Sequence, residues 1–167
     1  MRTTSTTTRT TPDNAAAATG ATDAIALLKE DHEHVKAMFE QYEGLGERAH
    51  VSKKKLATEI CTELTKHATA EEEIFYPAFR AAGGKDKDTL TDEAVVEHAS
   101  AKDLIAQIMA MESTEDLFDA KVKVLGELIE HHVKEEEGEI FPKARKAGLD
   151  LKMLGQQIAE RKAEIAV

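Results

Sequence analysis

Tryptophan is absent from this 167-residue chain, cysteine occurs once, and aromatic residues make up only 4% of it. A single thiol, Cys61, excludes an internal disulfide framework and suits a reducing compartment, so a cytoplasmic location is expected. As one small apolar residue, Cys61 is read as a core side chain rather than a reactive thiol. No run approaches the ~20 apolar residues that cross a bilayer, so no membrane span is expected. Positive charge is also short: 22 Lys and Arg stand against 32 Asp and Glu, a net charge of −10. Such a surface repels phosphate backbones, which argues against nucleic-acid binding and, more weakly, against anionic membranes.

Glycine and proline are few and fall mostly between periodic segments, which leaves long stretches free to be helical. The N-terminal stretch, 1–21, is Thr- and Ala-rich, with Arg2 and Arg9, and lacks the apolar core of a secretory signal. It fits a transit peptide in composition, but a disordered tail is the simpler expectation.

From Thr22 onward the apolar pattern has helical spacing. The first segment is capped by Thr22 or Asp23 and ends near Glu43, with Ile25, Leu28, His32, Val35, Phe39 and Tyr42 on one face. The second runs from about Ser52 to Ala82, with Leu56, Ile60, Leu64, His67, Glu71, Ile74 and Ala78 inward; Pro77 should kink it or loosen its hydrogen bonds. The third runs from about Thr91 to Met111, with Val95, His98, Ile105 and Ile108 or Met109 inward. The fourth runs from about Ser113 or Thr114 to Ala147, with Val122, Leu125, Ile129, His132, Glu136 and Ile140 inward and Pro142 late in the run. A shorter amphipathic segment, about Asp150 to Ile165, should pack on the bundle end or on a partner chain, including a second copy. The expected fold is therefore all-α: an antiparallel up-down four-helix bundle over residues 22–148, a helical extension over 149–167, and a tail over 1–21.

The two halves repeat each other. His67, Glu71 and Pro77 recur, in the same order and at the same spacing, as His132, Glu136 and Pro142. Arg80 and Gly83 recur in that register as Arg145 and Gly148. Asp31, His32 and Lys36 are matched, one position out of that register, by Glu97, His98 and Lys102. Each half thus supplies one inward His, then His-x-x-x-Glu. The i,i+4 spacing stacks His67 over Glu71, and His132 over Glu136, on one helix face.

One His on an apolar face is usually a satisfied core residue, and one Glu a solvated acid. Two copies of the same unit are hard to explain that way. Four imidazoles and two carboxylates at one level of a core would each cost ~1–3 kcal/mol if unpaired. Metal removes that cost, since neutral imidazole and carboxylate are its natural ligands. Two carboxylates from different helices can bridge two cations and leave open positions for O2, peroxide or water. Mixed N/O ligation suits iron; manganese and zinc follow the same logic.

The neighbours of these six have separate expectations. His34 lies about 200° around the helix from His32 at ~100° per residue and is expected outside. His131 can reach the inward face, but the repeat selects His132. Glu72, Glu73, Glu135 and Glu137 form an acidic rim, one of which can accept a hydrogen bond from a ligand. His50 falls in a loop-like stretch. Tyr42 and Tyr76 can pack in the core or bond a metal-bound oxygen.

Asp31-His32, His67-x-x-x-Glu71 with Glu-Ile-Phe-Tyr-Pro after it, Glu97-His98, and His132-x-x-x-Glu136 with Gly-Glu-Ile-Phe-Pro resemble the hemerythrin-like, or HHE cation-binding, family. The likeness covers roughly Asp23 to Gly148. It implies a non-haem di-iron centre with bridging carboxylates and an oxo or hydroxo bridge, in contact with O2, nitric oxide or peroxide. The oxygen-carrying members have a second His four residues after the third-helix ligand, where this chain has Lys102. They also have an Asp five residues after the fourth-helix His, where this chain has Glu136 at four. A site with one imidazole fewer departs from a simple oxygen carrier. Lys102 can donate to a bound anion or extend into solvent. The expected function is a di-iron protein that binds O2, nitric oxide or peroxide, or senses iron or oxygen. The alternatives are a stress-defence enzyme that disproportionates peroxide or handles nitric oxide, and a structural bundle with incidental metal affinity.

Overall fold

The structure is a computed structural model and describes residues 23–166. The tail expected over residues 1–21 lies outside the described residues. Within them the chain is all-α, with no strand. Among the described residues no helix is long and apolar enough to cross a membrane.

Helix α1 spans Ala24–Glu43 and is capped by Asp23, whose carboxylate accepts from the Ala26 amide at 2.9 Å. Helix α2 spans His50–Ala70 and so begins at His50, which is helical rather than in a loop. After it comes a single π turn, Glu71–Phe75, and then α3, Tyr76–Ala81. Pro77 explains the wide turn. Its ring would collide with the Glu73 carbonyl in an unbroken α-helix. Instead the Tyr76 amide reaches back five residues to the Glu71 carbonyl. The second half repeats the device: α5 spans Phe118–Glu135, a π turn Glu136–Ile140, and α6 Phe141–Lys146, with the Phe141 amide on the Glu136 carbonyl.

The π turn adds a residue to the face, which corrects the expected stripe. Phe75, Tyr76 and Phe79 are buried at 0–1% exposure, while Ile74 and Ala78 are half-buried. Helix α4 spans Lys85–Ala110 and starts earlier than Thr91, because Gly83 (φ 79) and Gly84 (φ 114) make the turn and Asp86 and Asp88 favour a helix N-terminus. Its inward face carries Ala94, His98, Ala101 and Ile108; Val95, expected inward, is 43% exposed. Between α4 and α5, Leu117 takes a left-handed φ of 72, and Ser113 bonds the His50 carbonyl instead of capping a helix. Helix α7, Leu151–Glu164, is capped by Asp150.

Helix α1 packs on α2, α2 on α4, α4 on α5, and α5 on α1, closing a ring; α7 packs along α1 and α2. Two apolar clusters fill it. One holds Ile25, Leu28, Phe75, Phe79, Phe141 and, from α7, Leu154 and Ile158. The other holds Val35, Leu56, Ile60, Leu64, Ile108, Phe118 and Leu125. His32, His67, Glu71, His98, His132 and Glu136 are buried and polar and belong to neither.

Candidate metal centre

The six expected residues come together, each at 7% exposure or less, with Glu71 and Glu136 at 0%. His32 comes from α1, His67 from the end of α2, His98 from α4, and His132 from the end of α5. The two glutamates open the two π turns. Glu71 lies between the two halves. Its Oε1 is 2.9 Å from His67 Nε2, and its Oε2 is 3.2 Å from His98 Nε2. Glu136 Oε2 is 3.2 Å from His32 Nε2 and 3.6 Å from His132 Nε2. The Nε2 atoms of His98 and His132 are 3.1 Å apart. Two groupings can therefore each hold a cation: His32, His67, Glu71 and Glu136, and Glu71, His98 and His132.

Every one of the four imidazoles turns its Nδ1 outward onto a carboxylate. His32 meets Glu137 at 2.8 Å, His67 meets Asp31 at 2.9 Å, His98 meets Glu72 at 2.9 Å and His132 meets Glu97 at 2.7 Å. An ionised carboxylate only accepts, so each Nδ1 carries the hydrogen. In a neutral ring the Nε2 is then a bare lone pair. Those lone pairs face carboxylate oxygens and one another. His32 Nε2, Glu71 Oε1 and Glu136 Oε2 accordingly have no hydrogen-bond partner although they are buried. Acceptor against acceptor at about 3 Å is stable only with a cation or a proton between them.

Electrostatics state the same demand. Burial pulls the His67 imidazole down, but the charge of Glu71 and the bond to Asp31 outweigh it and lift it to about 10. Burial likewise lowers His32 and His98, and the adjoining glutamates raise both above their ordinary range. Burial raises Glu71, yet His67 and His98 hold it well below its ordinary range. Glu136 is pushed up, by burial and by the charge of Glu71. Two buried carboxylates this close do not both ionise readily without positive charge between them. The donor set, imidazole and carboxylate in a closed pocket, fits iron, manganese or zinc.

Tyr76 does reach the centre. The π turn brings it onto the same face as Glu71, and its hydroxyl donates to Glu136 Oε1 at 3.0 Å, with Glu71 Oε2 at 3.3 Å and His132 Nε2 at 3.4 Å. Burial and the two glutamates hold its phenol well above the ordinary range, so it stays protonated. Its counterpart in the second repeat is Phe141, which stacks on His32 with ring centroids 5.9 Å apart.

Tyr42 does not reach the centre. It sits in the second apolar cluster and donates to Asp119 at 2.6 Å, beside the Lys53–Asp119 pair at 2.8 Å. Lys102 neither enters the centre nor extends freely into solvent; it pairs with Glu72 at 2.6 Å, behind His98. His131 is 61% exposed and lies 3.4 Å from both Glu97 and Glu135. His34 is exposed, as expected. Of the acidic rim, Glu72 and Glu137 are the acceptors, while Glu73 pairs with Arg161 and Glu135 with His131. The acceptor roles of Asp31 and Glu97 are absent from the sequence-based expectation. Their signal is nevertheless there: each immediately precedes an inward His, in both repeats.

Beside the imidazoles lies a small, mostly apolar cavity of about 30 Å³, walled by Val35, Leu64, Ala101, Ile105, Ile129 and Val133. That exceeds the ~10–15 Å³ of such space that one water molecule needs.

The hemerythrin HHE cation-binding domain matches residues 23–144 of this chain. A DNA nickase from Nostoc sp. (strain PCC 7120 / SAG 25.82 / UTEX 2576) is 29% identical over 119 residues, which cover 71% of this chain and 32% of the relative. The chain thus spans about a third of that relative's length. The crystal structure of a hemerythrin HHE cation-binding domain-containing protein from Mycobacterium kansasii is similar with a TM-score of 0.72, covering 86% of each chain at 23% identity. That likeness speaks for the fold.

Proposed function

This chain belongs to the hemerythrin HHE cation-binding family, and on that footing we propose that His32, His67, Glu71, His98, His132 and Glu136 hold two iron ions in a non-haem centre that binds O2, nitric oxide or peroxide. The observation that carries this reading is the inward aim of the imidazole Nε2 atoms. With every Nδ1 committed to a carboxylate, the Nε2 atoms point at the oxygens of Glu71 and Glu136 in a buried pocket. Glu71, with one oxygen toward each half, is suited to bridging, and Glu136 lies between His32 and His132. A pair of iron ions supplies redox-active open positions for a small ligand. The chain supplies the fixed imidazoles, the exclusion of bulk water and an apolar cavity suited to a diatomic molecule. The ring of helices is read as an antiparallel up-down bundle of two hairpins over residues 22–148, with the last helix as an extension. The net charge of −10 argues against nucleic-acid binding here, and the nickase activity named for the Nostoc protein is not carried over to a chain that matches only 32% of that protein's length.

A second reading, peroxide disproportionation, is favoured by Tyr76. That side chain holds a proton on its hydroxyl within 3.0 Å of Glu136, at a position where the other repeat has a Phe. Peroxide disproportionation moves protons in every turnover, and a hydroxyl proton held at the centre is placed to serve it.

The test is metal analysis of the purified full chain, followed by optical spectra under O2, nitric oxide and peroxide. Two irons per chain and a ligand-dependent spectrum are expected. Binding without turnover supports the first reading. Catalysed peroxide loss that falls about 100-fold or more in Tyr76→Phe, in the range for a lost proton donor, supports the second. A chain that takes up no transition metal refutes both.

A further inference from the structure

We propose that Lys162, on the last helix, is a positioning residue for His67. It clamps the Asp31 carboxylate behind that imidazole and so makes retention of the ion on the His32 and His67 side depend on the docked C-terminal helix. The inference rests on the metal reading above.

The four carboxylates behind the imidazoles play the same part, but what stands behind each of them differs. Asp31 receives Lys162 Nζ on both oxygens, at 2.5 and 2.6 Å. Both side chains are only about 20% exposed. Glu72 has Lys102, but that lysine is 47% exposed. Among the described residues Glu97 has, besides His132 itself, only His131, 61% exposed and 3.4 Å away. Among the described residues, Glu137 has no ion-pair partner except His32 itself. The clamp on Asp31 is thus the most enclosed of the four.

The repeat makes the comparison sharp. Asp31 and Glu97 occupy matched positions in the two halves and accept from the matched His67 and His132. Helix α7 lies outside the repeat, and its lysine serves one half. It is anchored there by Leu154 and Ile158, buried beside Phe75 and Phe141. Lys162 follows Ile158 by one turn, on the same face.

A carboxylate behind a ligating imidazole fixes the ring and raises the basicity of the other nitrogen. Asp31 can do so only while it keeps its orientation. With both oxygens held by one ammonium it cannot swing toward solvent, and the imidazole of His67 stays aimed at Glu71, 2.9 Å away.

The experiment compares the full wild-type chain with Lys162→Met, Lys162→Gln, Lys162→Arg and Arg161→Met. Arg161 is the neighbouring residue on the same helix and pairs with the exposed Glu73, so its loss removes a surface ion pair of that helix without touching Asp31, while Leu154 and Ile158 keep the helix docked. Each protein is loaded anaerobically with ferrous iron and challenged with a ferrous chelator. In Lys162→Met and Lys162→Gln, one ion should leave faster, by up to the roughly 10–100-fold that losing the carboxylate behind a ligand itself costs, while the other leaves at the wild-type rate. Lys162→Arg should restore slow release, and Arg161→Met should resemble wild type. Wild-type release from both uncharged variants, or equal acceleration in Arg161→Met, overturns the proposal. If the wild type takes up no iron, the metal reading fails by itself. Solvent exchange of the His67 Nδ1 proton, followed by NMR in the metal-free chain, then decides. Faster exchange in Lys162→Met than in Arg161→Met supports the clamp, and equal exchange overturns it.

Discussion

At the scale of single residues, protons and metal compete for the same atoms. In the metal-free chain His67 is lifted to about 10, against burial, by the charge of Glu71 and the bond to Asp31. It is therefore charged at neutral pH, and an incoming cation must displace its Nε2 proton. Adding ferrous iron to the weakly buffered, metal-free protein at pH 7 should release at least one proton per chain, read with a pH indicator. The same shift fixes a stability profile. A folded value above the unfolded 6.5 stabilises the native state fully below that value, and the benefit disappears as pH rises through about 10. The melting temperature of the metal-free protein should fall between pH 7 and 10, and that of the loaded protein should fall less. Uptake without proton release would mean that the imidazoles are already neutral. The six inward residues are legible in the sequence because the unit occurs twice. Tyr42 and Tyr76 cannot be told apart there, since each lies on or beside an apolar stripe. What separates them is a change of helical phase that leaves no periodic signal.

That change belongs to the scale of elements. A π turn follows each His-x-x-x-Glu unit, and each is succeeded by a proline, Pro77 or Pro142. The prolines are legible as a disturbance, but whether a proline bends a helix or widens one turn depends on what packs around it. The widened turn exchanges Ile74 for Phe75 and Tyr76 on the buried face. Both halves make the exchange, so the first turn of α3 and of α6 delivers an aromatic ring to the centre. Helix boundaries are less legible where side-chain chemistry is ambiguous. The start of α4 hangs on two left-handed glycines, and Ser113 has the chemistry to cap α5 but bonds elsewhere. Two glycines within helical segments allow a direct test. At Gly138, in the second π turn, an added Cβ would meet no atom within 4 Å, whereas a Cβ at Gly126 would lie 3.1 Å from the Phe39 ring. Gly138→Ala should stabilise the chain by about 0.4–1 kcal/mol through the unfolded state. Gly126→Ala should gain less or lose stability, because Phe39 must shift. Urea denaturation of the two variants beside wild type checks the order, and a reversed order would show that the π turn needs its glycine.

At the scale of the whole molecule the centre is a polar layer between two apolar clusters. Its candidate ligands come from α1, α2, α4, α5 and both π turns, so every wall of the helical ring contributes. Without a cation the layer holds His32 Nε2 and Glu136 Oε2 buried without a hydrogen-bond partner, and a glutamate pair that resists double ionisation. With cations it becomes a cross-link between the two halves. Removing metal should therefore do more than empty a pocket. Free metal at about 1,000 times its dissociation constant stabilises a native state by about 4 kcal/mol. At about 2–4 °C per kcal/mol for a chain of this size, chelation should lower the melting temperature by roughly 8–16 °C. The loss should also be uneven. Hydrogen exchange should quicken most over residues 67–76 and 132–141, where the ligands meet the π turns, and least beside Ile60, Ile108 and Leu125 in the second apolar cluster. Circular dichroism melts with and without chelator, paired with amide exchange, measure both effects. A melting temperature that moves by less than about 2 °C, with uniform exchange, would mean that apolar packing alone carries the fold and that metal affinity is incidental.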